Sequence, residues 1–120
     1  PDSVVAALTV LAQKKNTVFV LGDLGELGEN PEKVHEKIGE KAKEVGINHM
    51  YCLGEYSARA CNSFGTNGKS FNEMDDLLSN LKKDVNESLP DNVTILVKGS
   101  RFMKMERAVE ALSLQYGESA

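Results

Sequence analysis

The segment TVFVL, residues 17–21, decides the fold that this sequence predicts. Its side chains are apolar or β-branched and lack the polar alternation of a half-exposed strand, so the pattern indicates a strand buried on both faces. Residues 93–97, VTILV, have the same character near the other end of the chain. Strands of this kind occur in parallel sheets that helices cover on both sides.

Helical patterns separate the predicted strands, which also include residues 50–53 and a brief edge strand at 69–71. Five stretches carry apolar residues at helical spacing: 4–11, 34–45, 56–64, 74–85 and 105–112. Asn30 and Asn72 are predicted to cap two of these helices. The alternation predicts an α/β domain, a Rossmann-like three-layer fold with helices on both faces of a mainly parallel sheet. Right-handed crossovers favour the strand order 3-2-1-4, with strands 17–21 and 93–97 adjacent at its centre.

The composition limits the classes of function. A length of 120 residues predicts one domain, residues 1–120, and the start at Pro1 suggests a fragment of a longer protein or a processed chain. Lys and Arg number 14 against 18 Asp and Glu, which argues against nucleic acid or an anionic membrane as the main partner. Cys52 and Cys61 lack metal-type spacing, so we expect two small buried hydrophobes, with neither a zinc site nor a disulfide scaffold. A cytoplasmic location is the default.

Two loops rich in polar residues follow the two strongest strands. Ligands of open α/β sheets bind beyond the carboxyl ends of the strands, where the strand order reverses, here between the first and fourth strands. The first loop, residues 22–26, has the sequence GDLGE. Its carboxylates, on Asp23 and Glu26, either hold an ammonium group or are solvated acids of an ordinary connection.

The second loop, residues 98–101, has the sequence KGSR. Lys98 and Arg101 lie beside a predicted helix N-terminus at Ser100, where exposed N–H groups and the helix dipole favour an anion such as a carboxylate or phosphate. The alternative is that Ser100 caps the helix while both cations remain in water. Neither loop is a dinucleotide fingerprint or a P-loop, and the sequence predicts no catalytic residue and no metal ligand.

Single histidines and methionines near these loops have simpler interpretations. His35 lies one turn into the second helix, where a position on the helix flank and a role near the glycine-rich loop both remain open. His49 is expected at the surface. Met103 and Met105 are expected in the core rather than against a cofactor.

Two motifs resemble the carboxy-terminal domain of the Mur ligase family. Residues 18–28, VFVLGDLGELG, resemble its "VLGDMxELG" segment, and His35 follows at the usual distance. Residues 95–101, ILVKGSR, with Met105 and Glu106 are similar to its "LVKGSRxxxME" segment. The first three residues resemble the end of "YNANPxS". Leu24, where methionine is common, is a small departure.

The resemblance implies a function in peptidoglycan biosynthesis, and hence in cell shape and division. It implies the substrate-binding, closing domain of an ATP-dependent ligase that joins D-alanyl-D-alanine to a UDP-N-acetylmuramoyl tripeptide. ATP and magnesium would be held by a central domain of the full-length enzyme. We therefore expect neither to bind stably to this fragment and expect no activity from it alone.

The resemblance also implies that the two loops bind the zwitterionic dipeptide. The implied substrate contacts are Asp23, Leu24, Glu26, Lys98, Ser100 and Arg101, and the implied supporting residues are Gly22, His35 and Gly99. An acidic loop would hold the ammonium group and a basic loop the carboxylate.

Two alternatives come from other functional classes. A receiver-like signalling domain needs an acidic cluster after its first strand and an acceptor aspartate after its third. Only Asp23 is near the first position, and the third predicted strand ends without an aspartate. A non-catalytic α/β interaction module is the other alternative, favoured if ligase function is independent of these loops.

Overall fold

Helices and strands alternate in the computed structural model, which describes residues 2–25, 30–100 and 103–109. The elements of these residues are α1 (Asp2–Leu11), β1 (Thr17–Gly22), α2 (Pro31–Glu44), β2 (His49–Leu53), α3 (Glu55–Phe64), β3 (Gly68–Phe71), α4 (Met74–Glu87) and β4 (Thr94–Lys98). Residues 106–109 are also helical. None of the described helices has the length and apolar character needed to cross a membrane.

The strands form one parallel sheet in the order β3-β2-β1-β4, which confirms the predicted order. β1 pairs with β2 on one side and with β4 on the other, so that Val20 lies opposite Tyr51 and Val97. All six residues of β1 are buried, as its continuous apolar sequence predicts.

Apolar clusters on the two faces of the sheet make the three-layer arrangement. One cluster joins α1, α2 and α3 to Phe19 and Leu21 of β1. The other joins α4 and the last helical stretch to Val18 and Val20. Successive right-handed crossovers from β1 to β2 to β3 place α2 and α3 on one face, and the return from β3 to β4 places α4 on the opposite face.

α2 and α3 approach each other closely at a glycine. A Cβ atom added to Gly39 in α2 would overlap the carbonyl oxygen of Ala60 in α3. Both residues are buried. The close packing of α2 on α3 therefore requires glycine, which has no side chain, at position 39.

Some details differ from the sequence-based expectations. Asn30 has a left-handed conformation, φ 59°, without a side-chain bond to α2, and Glu73 rather than Asn72 precedes α4. β4 is half-buried rather than fully buried, because within the described residues it pairs with β1 alone. Met105 is buried as predicted, whereas Val109 is 37% exposed.

The two cysteines are buried, as predicted, but the expectation that they are unpaired is wrong. Cys52 lies in β2 and Cys61 in α3, and their sulfur atoms are joined as a disulfide. The pairing arises because α3 packs directly on β2, which brings together two residues nine positions apart, one in the strand and one in the helix that follows it.

A polar cluster fixes α4 against the β2–β3 edge. The Tyr51 hydroxyl donates a hydrogen bond of 2.5 Å to Asp84 in α4, and the Lys69 Nζ lies 2.9 Å from the same oxygen. Burial raises the pKa of Tyr51, and its bond to Asp84 raises it further. Burial alone would raise the pKa of Asp84, but the bonds from Tyr51 and Lys69 outweigh it and lower that pKa. His49, expected at the surface, is half-buried beside this cluster, and burial lowers its pKa.

Candidate functional site

The carboxyl ends of β1 and β4 lie side by side, with Leu21 opposite Lys98. Met105 covers both strand ends. A Cβ atom on Gly22 would lie 2.5 Å from the Met105 sulfur, and a Cβ atom on Gly99 would overlap the Met105 Cγ. Glycine at both positions therefore lets Met105 pack directly over the place between β1 and β4 where the strand order reverses, called the switch point below.

The main chain of Asp23 joins three segments at this edge. Its N–H donates to the Leu53 carbonyl at the end of β2, at 3.2 Å. Its carbonyl accepts a 3.0 Å hydrogen bond from the Ser100 N–H. The loops after β1 and β4 are thus connected directly, as their predicted placement at one edge requires.

The carboxylate of Asp23 caps α3. Its Oδ1 accepts from the Ser57 N–H at 2.7 Å, and its Oδ2 accepts from the Tyr56 N–H at 3.4 Å. The first N–H groups of a helix lack partners within the helix, and a carboxylate also complements the helix dipole. Gly54 precedes α3 with φ +114°, and a Cβ atom there would lie 2.5 Å from the Asp23 carboxyl group. The glycine therefore makes room for a cap from a distant loop.

His35 supports the same loop from α2. Its imidazole is fully buried, its Nε2 lies 3.1 Å from the Leu24 N, and its Nδ1 lies 2.7 Å from the Pro31 carbonyl oxygen. The Tyr56 ring packs beside it, with 5.7 Å between ring centroids. Of the two interpretations left open by the sequence, contact with the glycine-rich loop is the one observed.

The second loop borders a cavity of about 310 Å³ at the outer side of β4. The residues lining it are Val97, Lys98, Gly99, Ser100, Met105, Glu106 and Val109. Lys98 is one of these residues, and within the described part of the chain its ammonium group has no ion-pair partner. Glu106, an exposed residue, also lines the cavity, so one basic and one acidic residue border it.

The structure brings most of the predicted site residues to one edge. Gly22, Asp23, Leu24, Gly99 and Ser100 are joined by the contacts above, and His35 supports them from α2. Glu26 and Arg101 lie outside the described residues.

The sequence missed the capping role of Asp23 and the place of Glu106 in the cavity. One signal was available for the first: α3 begins after Gly54, which has no side chain to cap it. A helix whose preceding residue cannot cap it needs a partner from elsewhere in the chain.

No group of three or more His, Cys, Asp or Glu among the described residues is arranged to hold a metal ion. The residues around the cavity at this edge include a lysine, a serine and a glutamate, and the backbone of Asp23 and Leu24 is hydrogen-bonded beside it. Such an arrangement can bind and orient a small polar ligand.

Comparison with known proteins gives a match over most of the chain. The sequence profile described as "Mur ligase, glutamate ligase domain" matches residues 1–101. The chain belongs to the Mur ligase family. The resemblance inferred from the two motifs is thereby confirmed.

The relatives of this Mur ligase domain include named enzymes. It is 39% identical over 111 residues to the UDP-N-acetylmuramoyl-tripeptide–D-alanyl-D-alanine ligase of Escherichia coli, a match covering 92% of this chain and 24% of that protein. It is 38% identical over 117 residues to the ligase of the same name from Buchnera aphidicola, again over 92% and 24%. The chain thus spans about a quarter of the length of these relatives.

A solved structure matches this Mur ligase domain in three dimensions. A crystal structure of MurF from Acinetobacter baumannii superposes with a TM-score of 0.85 and 31% sequence identity. The superposition covers 96% of this chain and 25% of that one. The three-layer fold and its strand order are therefore those of a Mur ligase domain.

Proposed function

We propose that residues 1–120 are the carboxy-terminal domain of a full-length ligase that joins D-alanyl-D-alanine to UDP-N-acetylmuramoyl tripeptide. The observation that carries the proposal is the 39% identity to the Escherichia coli ligase over 92% of the chain. The family match favours this function over a receiver-like signalling domain or a non-catalytic interaction module.

The role of this domain is to bind and orient the incoming dipeptide. ATP would supply the phosphoryl group that activates the tripeptide carboxyl, on a magnesium-dependent site in another domain. That transfer would leave ADP and an acyl phosphate. The amine of D-alanyl-D-alanine would then attack the acyl carbon, displace inorganic phosphate and lose a proton as the amide bond forms. Holding the amine in the right geometry can contribute about 7–11 kcal/mol toward lowering a barrier of this kind. The proposed contribution of residues 1–120 is that positioning, at a cytoplasmic location where nucleotide-linked precursors are made.

The cavity beside β4 supports the choice of a zwitterionic ligand. Its lining residues include Lys98 and Glu106, which carry opposite charges. Lys98 and Ser100 would hold the dipeptide carboxylate, and Arg101 would add charge to that side. Charge-assisted hydrogen bonds of this type are stronger than neutral ones.

The proposed contacts on the other side come from the loop after β1. Leu24 would line the site, and Glu26 would accept the ammonium group. Asp23 was also predicted as an acceptor. Both of its oxygens already accept N–H bonds from α3, and a carboxylate has about four acceptor positions, so a ligand contact would add to its capping role. Gly22 and Gly99 would support the site by admitting Met105 over the strand ends.

A ligation assay on the full-length protein tests the function. Purified enzyme receives ATP, magnesium, UDP-N-acetylmuramoyl tripeptide and one amino substrate, either D-alanyl-D-alanine or a single amino acid such as D-glutamate. We expect the tripeptide to be extended only with the dipeptide, and ADP release to require all substrates. The 120-residue chain alone is the matched control, for which we expect neither ADP release nor ligation. Extension with a single amino acid and none with the dipeptide would refute the proposed substrate.

A further inference from the structure

The environment of His35 defines which nitrogen carries the proton. The Leu24 N–H is a donor, so Nε2, at 3.1 Å from the Leu24 N, must accept and therefore carries no hydrogen. The Nδ1 then carries the proton and donates it to the Pro31 carbonyl at 2.7 Å. A single neutral tautomer satisfies both neighbours. The ring thus connects the first turn of α2 to the backbone of the loop after β1.

Two helices hold two consecutive residues of this loop. α3 binds the side chain of Asp23 through the N–H groups of Tyr56 and Ser57. α2 binds the backbone N–H of Leu24 through His35. The Tyr56 ring packs against the imidazole, so the two supports also contact each other. Without His35, the half-buried Leu24 N–H would lose its acceptor. An unsatisfied donor of this kind costs free energy, which favours a shift of the loop toward another acceptor.

We propose that His35 is a positioning residue for the dipeptide site: its Nε2 fixes the Leu24 amide and thereby sets the path of the loop that faces Lys98 and Ser100. This role rests on the proposed function. The Ser100 N–H bonds to the Asp23 carbonyl, so a displacement of residues 23–24 also disturbs the opposite loop. The histidine acts from α2, without contact to the ligand.

A purely structural role for His35 is the competing explanation, and two substitutions separate the two roles. The side-chain amide of Asn reaches about as far as Nδ1, so His35→Asn can keep the donor to Pro31 but loses the acceptor for Leu24. The Gln carbonyl reaches about as far as Nε2, so His35→Gln can keep the acceptor for Leu24 but loses the donor to Pro31. Each variant removes one hydrogen bond from the same buried position.

Steady-state kinetics of the full-length enzyme provide the first readout. We expect His35→Asn to lower kcat/KM for D-alanyl-D-alanine on the order of tenfold or more, since small displacements of positioning groups are costly. The KM values for ATP and for the tripeptide should stay at the wild-type level. His35→Gln should recover most of the activity. Both variants should show similar losses of Tm, because each loses one buried hydrogen bond.

Amide hydrogen exchange on the 120-residue chain provides a readout that needs no enzymatic activity. The Leu24 amide should exchange slowly in the wild type and in His35→Gln, and faster in His35→Asn. The ¹⁵N shifts of the imidazole should report a proton on Nδ1 in the wild type.

Several results would overturn the proposal. One is a loss of kcat/KM that is the same in His35→Asn and His35→Gln and that parallels their loss of Tm. Another is a Leu24 amide that exchanges at the same rate in the two variants. The third is a His35→Asn variant with wild-type kinetics. A wild-type full-length protein that does not ligate the dipeptide overturns the proposed function, and with it this role of His35. The exchange rate of the Leu24 amide separates a failure of the proposed function from a failure of the His35 contact, because it reports the Leu24–His35 hydrogen bond whether or not the enzyme ligates the dipeptide.

Discussion

At the residue scale, Asp23 is bound to the first turn of α3, so its first effect is on stability. Replacing a capping side chain by alanine costs about 0.5–2 kcal/mol. We expect Asp23→Ala to lower the free energy of unfolding by about 1–2 kcal/mol, measured by urea denaturation, because two N–H groups of α3 lose their acceptor. Asp23→Asn, which keeps one acceptor oxygen, should lose less. The exposed Asp91, changed to Ala, is the control. An Asp23→Ala variant as stable as this control would contradict the capping role.

Asp84 predicts a specific dependence of stability on pH. Its folded-state pKa lies below the usual value because Tyr51 and Lys69 donate to it, despite the opposing effect of burial. A carboxylate of this kind contributes stability above its unfolded pKa of about 4, and the contribution disappears as the pH falls through the lower folded-state pKa. The stability gap between wild type and Asp84→Asn should therefore be largest at neutral pH and shrink in acid. Urea denaturation from pH 7 down to about 3 measures it.

The control for this experiment is Asp91→Asn, which removes an exposed carboxylate that lies outside the helices. Its stability gap to the wild type should stay small at every pH. A gap for Asp84→Asn that does not change with pH would contradict the role assigned to the Tyr51 and Lys69 hydrogen bonds.

Individual residues also show what the sequence could and could not predict about the site. Lys98 and Ser100 were predicted at the switch point because they directly follow an apolar strand. A strand of this kind can be recognised from a short stretch of sequence. The capping of α3 by Asp23 was missed because the partners lie 33 and 34 positions along the chain. Rules for helix caps use neighbouring residues, and here the neighbour is Gly54. The bond from Leu24 to His35 likewise depends on a folded loop rather than on spacing alone.

At the scale of elements, periodicity predicted the helices and strands, while their ends and edges depended on context. The stripe Val4, Leu8 and Leu11 marks α1, and all three side chains are buried. Asparagine is a residue type that often caps helices, but Asn30 has a left-handed backbone and its side chain makes no hydrogen bond to α2. β4 was predicted to be fully buried because an apolar strand is also typical of a sheet centre. Whether a strand lies at the centre or at the edge of a sheet depends on how many strands pair with it, which its own sequence does not show.

The packing of α2 on α3 gives a prediction that opposes helix propensity. Alanine in place of glycine inside a helix normally stabilises it by about 1 kcal/mol. A Cβ atom on Gly39 would overlap the Ala60 carbonyl oxygen, however, so the two helices would have to separate. We expect Gly39→Ala to destabilise the domain by about 1–3 kcal/mol, the usual cost of overpacking. Thermal or urea denaturation measures the effect.

The matched control for Gly39→Ala is Glu40→Ala, an exposed position on the same helix. Surface substitutions of this kind usually change stability by less than about 0.5 kcal/mol. A Gly39→Ala variant that is more stable than the wild type would show that α2 and α3 tolerate a wider separation than the structure indicates.

At the scale of the whole molecule, the parallel order β3-β2-β1-β4 brings loops from distant parts of the chain to one edge. The sequence predicted this order from strand character and the handedness of crossovers, and the structure confirms it. The Ser100 N–H to Asp23 carbonyl bond then joins the two loops. We propose that this edge orients D-alanyl-D-alanine, with Lys98 holding the carboxylate of the dipeptide.

A double-change cycle, in which both the residue and the substrate are altered, tests this proposal. The full-length wild type and Lys98→Ala are each assayed with D-alanyl-D-alanine and with D-alanyl-D-alaninamide, which lacks the carboxylate charge. Lys83→Ala, an exposed lysine near the carboxyl end of α4 and hence away from this edge, is the control. A hydrogen bond to a charged group is worth about 1.5–3 kcal/mol, or roughly 10- to 100-fold in kcat/KM. We expect the dipeptide amide to lower kcat/KM by a factor in this range for the wild type and Lys83→Ala, and to lower it little for Lys98→Ala. An equal loss in all three enzymes would contradict the proposal.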